Sequence, residues 1–211
     1  MAQNPIKSGD VGQVITDLEQ EARQNPNSVV AHHRLALAYW RADRLNEAIT
    51  EFQKALEIDP ASFEVRINLG TLFFQMGRLE DGIRENQEAL RAHPGSAEAM
   101  ANIGSAYMQL GKWREAADFF EQALEIKPEM VPALINLSSV LVEMDQLDRA
   151  VMLAEKAVSL SPRFGLARNN LAVACFFSGD YQKAKEEMDK AKELGYPVHA
   201  EFEKQVNEKA A

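Results

Sequence analysis

Residue types that do chemistry are sparse in this chain and poorly spaced for it. His32 and His33 are adjacent, so on a helix their side chains diverge by about 100° and cannot chelate one metal. His93 precedes Pro94 in a turn, and His199 lies near the C-terminus. Cys175 is the single cysteine. It excludes an internal disulfide, suits a reducing compartment, and falls at a position read as packed core. Neighbouring carboxylates such as Glu186 and Glu187 belong to a solvated helix face. No phosphate-cradling glycine loop, Gly-x-Ser-x-Gly elbow or His-Glu-x-x-His occurs. The expectation is a protein that is not an enzyme and uses neither metal nor cofactor.

One polar set is regular. Asn68, Asn102, Asn136 and Asn170 recur every 34 residues, with Arg34 in the same register before them. Asparagine is a mediocre helix former, so propensity does not place it there. Its amide carries a donor and an acceptor, which match the N–H and C=O of an extended peptide. Six residues further on runs an apolar set: Trp40, Phe74, Met108, Val142 and Phe176. These two columns are the candidate peptide-binding residues. Leu37, Thr71, Ser105, Ser139 and Val173 form a mixed floor between them, and His33, Ile67, Ala101, Ile135 and Asn169 a flank.

The same period runs through the whole chain. Prolines stand at 26, 60, 94, 128 and 162, again 34 apart, which marks a repeat array. Inside each unit the apolar spacing is helical: Leu35, Ala38, Tyr39 and Ala42 for a first helix, Leu45, Ala48, Phe52, Ala55 and Leu56 for a second. Gly or Asp (43, 77, 111, 145, 179) separates the two, and proline closes the second. Ser28, Ser62 and Ser96 are N-cap candidates. Small residues at Ala48, Ala116, Ala150 and Ala184 allow the paired helices to approach closely.

With Met100, Ile103, Gly104, Tyr107, Gly111, Trp113, Ala116, Phe120, Ala123, Leu124 and Pro128 as one example, the pattern resembles the tetratricopeptide repeat family. The resemblance implies an all-α, right-handed solenoid of antiparallel helix pairs. It sets five repeats at 29–62, 63–96, 97–130, 131–164 and 165–198. Residues 1–28 form a polar N-terminus and a capping half-repeat helix, with Val11, Val14, Leu18 and Ala22 on one face. Residues 199–211 form a C-terminal capping helix with Phe202 and Val206 inward, turned by Leu194–Pro197. Gly82 and Asn86 depart from the pattern and suggest a looser second pair, since glycine inside a helix costs about 1 kcal/mol relative to alanine.

In the family the first helices line a concave groove, so the resemblance implies protein–protein interaction. The asparagine column resembles the ladder of the tetratricopeptide superhelix in O-linked N-acetylglucosamine transferase, which implies a binding mode and no activity. Carboxylate-clamp binding of chaperone tails fits poorly. His33 and Leu37 replace the expected Lys and Asn, Glu64 and Glu98 sit where basic groups would help, and Arg34, Arg41 and Arg66 are the only substitute.

Composition narrows the partners. There are 32 acidic and 23 basic residues, net charge −9, so no electrostatic footprint for nucleic acid exists. No run of about 18 apolar residues offers a membrane span, and the first ten residues lack a signal-peptide core. The expectation is a cytoplasmic module that binds an extended or apolar-rich segment of another protein. Two alternatives are a self-associating head-to-tail scaffold, in which Ile6 is the only apolar anchor of residues 1–9, and a chaperone for a hydrophobic client.

Overall fold

The computed structural model describes residues 8–211, with side chains from residue 11. The expectation for Ile6 lies outside the described residues. All regular structure described is helical. After α1 (Ser8–Gln24) come five pairs: α2 (Val29–Arg41) with α3 (Leu45–Ile58), α4 (Phe63–Gln75) with α5 (Leu79–Ala92), α6 (Ala97–Gln109) with α7 (Trp113–Ile126), α8 (Val131–Glu143) with α9 (Leu147–Leu160), and α10 (Gly165–Ser178) with α11 (Tyr181–Glu193). α12 (Ala200–Lys209) closes the chain. The fold is an all-α helical repeat solenoid.

The pairs fall into two compact units, one ending at Gly95 and one running from Ser96 to Ala211. In the first, Leu18 of α1, Leu35 of α2, Phe52 of α3 and Leu69, Leu72 and Phe73 of α4 make one buried cluster. In the second, Ile103, Phe120, Leu134, Leu141, Met188 and Val206 are fully buried. Each such side chain contributes about 1.5–3 kcal/mol by leaving water.

Local chemistry explains the helix ends. Each tight turn inside a pair needs one residue in the left-handed region. Gly77, Gly111 and Gly179 take it at φ 73°, 69° and 89°, and Asp43 and Asp145 at 59° and 57°, a conformation aspartate tolerates better than most non-glycine residues. Ser28 and Ser96 accept from the N–H of Ala31 and Ala99 at 3.2 Å. Ser62 occupies its N-cap position without that bond.

A second polar device ties three of the pairs to the turn before them. In the fifth pair Arg168 donates to the Pro162 carbonyl at 2.9 Å and to Glu187 at 2.6 Å. In the second pair Arg66 donates to Pro60 and to Glu85, the latter at 2.8 Å. His32 holds this place in the first pair, its ring nitrogens facing Glu51 at 2.6 Å and Pro26 at 3.1 Å. Leu134 takes the same register position in the fourth pair, packed in an apolar cluster with Leu153.

Three sequence expectations change. On α1 the buried face is Ile15, Leu18 and Ala22, and Val14 is 47% exposed. Leu18 and Ala22 keep the expected side and Val11 packs against the same cluster, so the change is confined to Ile15 turning inward in place of Val14. The second pair is tight rather than loose. A Cβ on Gly82 would lie 2.2 Å from the Phe74 ring and 2.8 Å from the Gly70 carbonyl. Asn86 is fully buried and donates to the Gly82 carbonyl at 2.8 Å. Finally, Ile67, Ala101 and Ile135 are buried and do not line an open flank.

Candidate functional site

Asn68, Asn136 and Asn170 lie where successive first helices of one unit adjoin. In the second unit α8 touches both α6 and α10. Asn136 of α8 donates through Nδ2 to Ser105 Oγ of α6 at 3.3 Å. Asn170 of α10 donates likewise to Ser139 Oγ of α8 at 2.7 Å. Asn102 and Asn136 are half-buried, and Asn170 is buried at 7% exposure with its Oδ1 unpartnered. The spacing therefore marks a real structural column. The hydroxyls that hold it were visible only as a mixed floor. Their signal is a serine followed 31 residues later by asparagine, since each amide reaches back to the preceding first helix.

The first unit differs. Leu37 stands in the hydroxyl column, and Asn68 donates instead to His33 Nε2 at 2.8 Å. Burial lowers the pKa of His33, while Glu64 opposes that shift. A neutral ring with Nε2 as acceptor satisfies both facts. Arg34 is exposed and paired with Glu21 of α1 at 2.8 Å, so it is a solvated ion pair rather than a further rung.

The His33 arrangement has a pH consequence. Its folded pKa lies below the unfolded value, so the unfolded chain takes the proton first. The neutral ring's contribution is complete above the unfolded value, about pH 6.5, and is lost as pH falls. Thermal unfolding compared at about pH 7.5 and about pH 5.5 should show a smaller acid-induced drop for His33→Gln than for wild type. Equal drops would remove His33 from the acid response.

The apolar column is half-buried throughout and largely engaged within its own unit. The Trp40 ring stands edge-on to Phe52 at 6.3 Å, and its Nε1 donates to Gln75 at 2.6 Å. Phe74 covers Gly82. Phe176 meets Phe177, Tyr181 and Phe202 edge-on, the last at 5.5 Å, so α12 packs on it. Met108 and Val142, at the same register, are half-buried as well.

Other chemistry-bearing groups are accounted for locally. Cys175 is fully buried, and burial pushes its thiol up to about 11, so thiolate is scarce at neutral pH. A polar cleft between α1 and α3 contains Glu19, Arg23, Tyr39, Arg44, Glu47, Glu51 and Lys54. These charges pair among themselves: Arg23 with Glu19, Arg44 with Glu47, Lys54 with Glu51. Burial and the hydrogen bond to Glu19 push Tyr39 up to about 12. Among the described residues no group of three or more His, Cys, Asp or Glu could hold a metal ion. No helix described is long and apolar enough to cross a membrane.

Helix pairs in strict register, whose first helices carry a polar column, define a helical-repeat protein. The family model for the tetratricopeptide repeat matches residues 67–131 and 135–195, and a second TPR repeat model matches 42–77. The chain belongs to the tetratricopeptide repeat family, whose members are in general non-catalytic modules for protein–protein interaction. No curated protein matches it in sequence.

Solved structures share the fold. One, from work on Pseudomonas aeruginosa pilF, superposes with TM-score 0.82 at 20% identity, over 96% of this chain and 92% of that one. YrrB, described as a TPR protein with an unusual peptide-binding site, superposes at 0.71 with 18% identity, over 90% and 97%. MamA superposes at 0.69 with 25% identity, over 76% and 94%.

Proposed function

We propose that the first-helix face of the second unit binds an extended segment of a partner protein. The observation that carries this reading is the register of Asn136 and Asn170, whose amides each reach back to a serine hydroxyl of the preceding first helix. Evenly spaced amides suit a polypeptide backbone, which repeats its own polar groups regularly. Apolar side chains of the segment fit against Met108 and Val142. Trp40, Phe74 and Phe176 support the helices from within, and Arg34 and Asn68 belong to the first unit's own face. The fold is known to carry a peptide-binding site in YrrB.

A peptide selected on the wild-type chain from a displayed library of random 12-residue sequences supplies the probe. Each asparagine–backbone bond contributes about 0.5–1.5 kcal/mol net. Asn102→Ala with Asn136→Ala should therefore weaken that peptide by roughly tenfold to a hundredfold, with helicity by circular dichroism unchanged. Unaltered affinity in the double variant would move the binding site off this face.

A further inference from the structure

Ser105 Oγ donates to the Ala101 carbonyl at 2.9 Å, and Ser139 Oγ to the Ile135 carbonyl at 3.2 Å. Such back-bonding inside helices is ordinary by itself. Its consequence here is not. A serine hydroxyl has one proton, and in both residues that proton is committed within the residue's own helix. Towards the next helix the hydroxyl can only accept. The amide edge that meets it must be the NH₂, as Asn136 to Ser105 and Asn170 to Ser139 show.

Each amide is thus held in one of its two orientations, with Oδ1 on the edge away from the serine. Asn170 shows the result most sharply: it is over nine-tenths buried, and its oxygen has no partner. A buried acceptor without a donor is rare in folded proteins and points to a group that arrives from elsewhere.

Resting on the peptide-binding reading above, we propose that Ser105 and Ser139 are positioning residues that set the asparagines as a column of acceptors. The bound segment is then recognised through its backbone N–H groups, not its carbonyls. Only alternate residues of an extended strand turn their N–H to one side. The column therefore reads every second residue and rejects proline there, which has no N–H. Threonine can do the serines' work, because Thr71 Oγ1 makes the same bond to the Ile67 carbonyl at 2.9 Å.

The test uses the full chain and the selected 12-residue peptide, resynthesised with a backbone ester at each position in turn. An ester removes one N–H without adding bulk. Wild type should lose roughly tenfold affinity at alternate positions, about the worth of one hydrogen bond. Ser105→Ala with Ser139→Ala should flatten that alternation, because a freed amide can turn its nitrogen to a carbonyl. Ser139→Thr should keep the alternation, which separates amide orientation from loss of helix packing. If the alanine pair keeps the wild-type pattern while Asn136→Ala weakens the peptide, the positioning role is wrong and the binding face stands. If Asn136→Ala also binds normally, or the library yields no peptide, the binding reading fails and takes this proposal with it.

Discussion

Arg168→Leu should destabilise the chain by about 2–3 kcal/mol in urea unfolding, and adding Glu187→Leu should restore most of that loss. Arg168 and Glu187 have side chains only 17% and 9% exposed and bond at 2.6 Å. Removing one partner of a buried pair strands the other charge, which costs more than the pair itself contributes. Lys190 also reaches Glu187 at 2.6 Å, which keeps the expected loss at the lower end. Recovery by the double variant has an internal precedent: at the same register the fourth pair uses Leu134 and Leu153, packed in one apolar cluster.

The deficit should also depend on pH. Burial alone would raise the Glu187 carboxyl, but hydrogen bonds from Lys190 and Arg168 outweigh it and leave the pKa lowered. The native pair therefore contributes above the unfolded carboxylate pKa of about 4.3 and is lost as pH falls below it. Wild type and Arg168→Leu should converge in acid. A deficit that stays constant down to about pH 3 would assign the loss to packing of the arginine stem instead.

Gly82→Ala is the second large effect, and its sign runs against propensity. Alanine at this position is the family's usual small residue and favours helix by about 1 kcal/mol over glycine. Yet the new Cβ would stand 2.2 Å from the Phe74 ring and 2.8 Å from the Gly70 carbonyl. Overpacking of this kind costs about 1–3 kcal/mol, and backbone on one side leaves the ring as the only part able to move. The variant should be less stable than wild type by up to about 2 kcal/mol. Phe74→Met with Gly82→Ala should recover most of it, since that combination reproduces Met108 and Ala116 of the third pair, where Gly104 stands at the matching position of the first helix. A stabilised Gly82→Ala would mean that the ring shifts freely.

Periodicity made the architecture legible. Proline, the left-handed turn residue and the small residue of the second helix each recur at 34-residue intervals, and each acts through a local rule that needs no knowledge of distant neighbours. The asparagine column was legible for the same reason: fixed spacing on equivalent helices places equivalent side chains side by side. Less legible was the face of α1, where Val14 and Ile15 are both branched apolar residues and packing against α2, not spacing, decides which one turns inward. Nor could spacing show whether the apolar column was open. Trp40, Phe74 and Phe176 are large and regularly placed, but their neighbours Phe52, Gly82 and Phe202 lie on other helices.

By itself, then, the order of residues determined the helix pairs, their turns and the register of the polar column, because these follow from backbone conformation and from a repeat that is the same everywhere. Tertiary structure alone decided how individual side chains are used. It packed Gly82 against Phe74, joined Arg168 to Glu187 across a helix pair, and turned the amides of Asn136 and Asn170 by giving each a hydroxyl whose proton was already engaged. Those outcomes depend on which atoms from separate helices meet within 3–4 Å, the range over which dispersion, overlap and hydrogen bonding change sign or vanish.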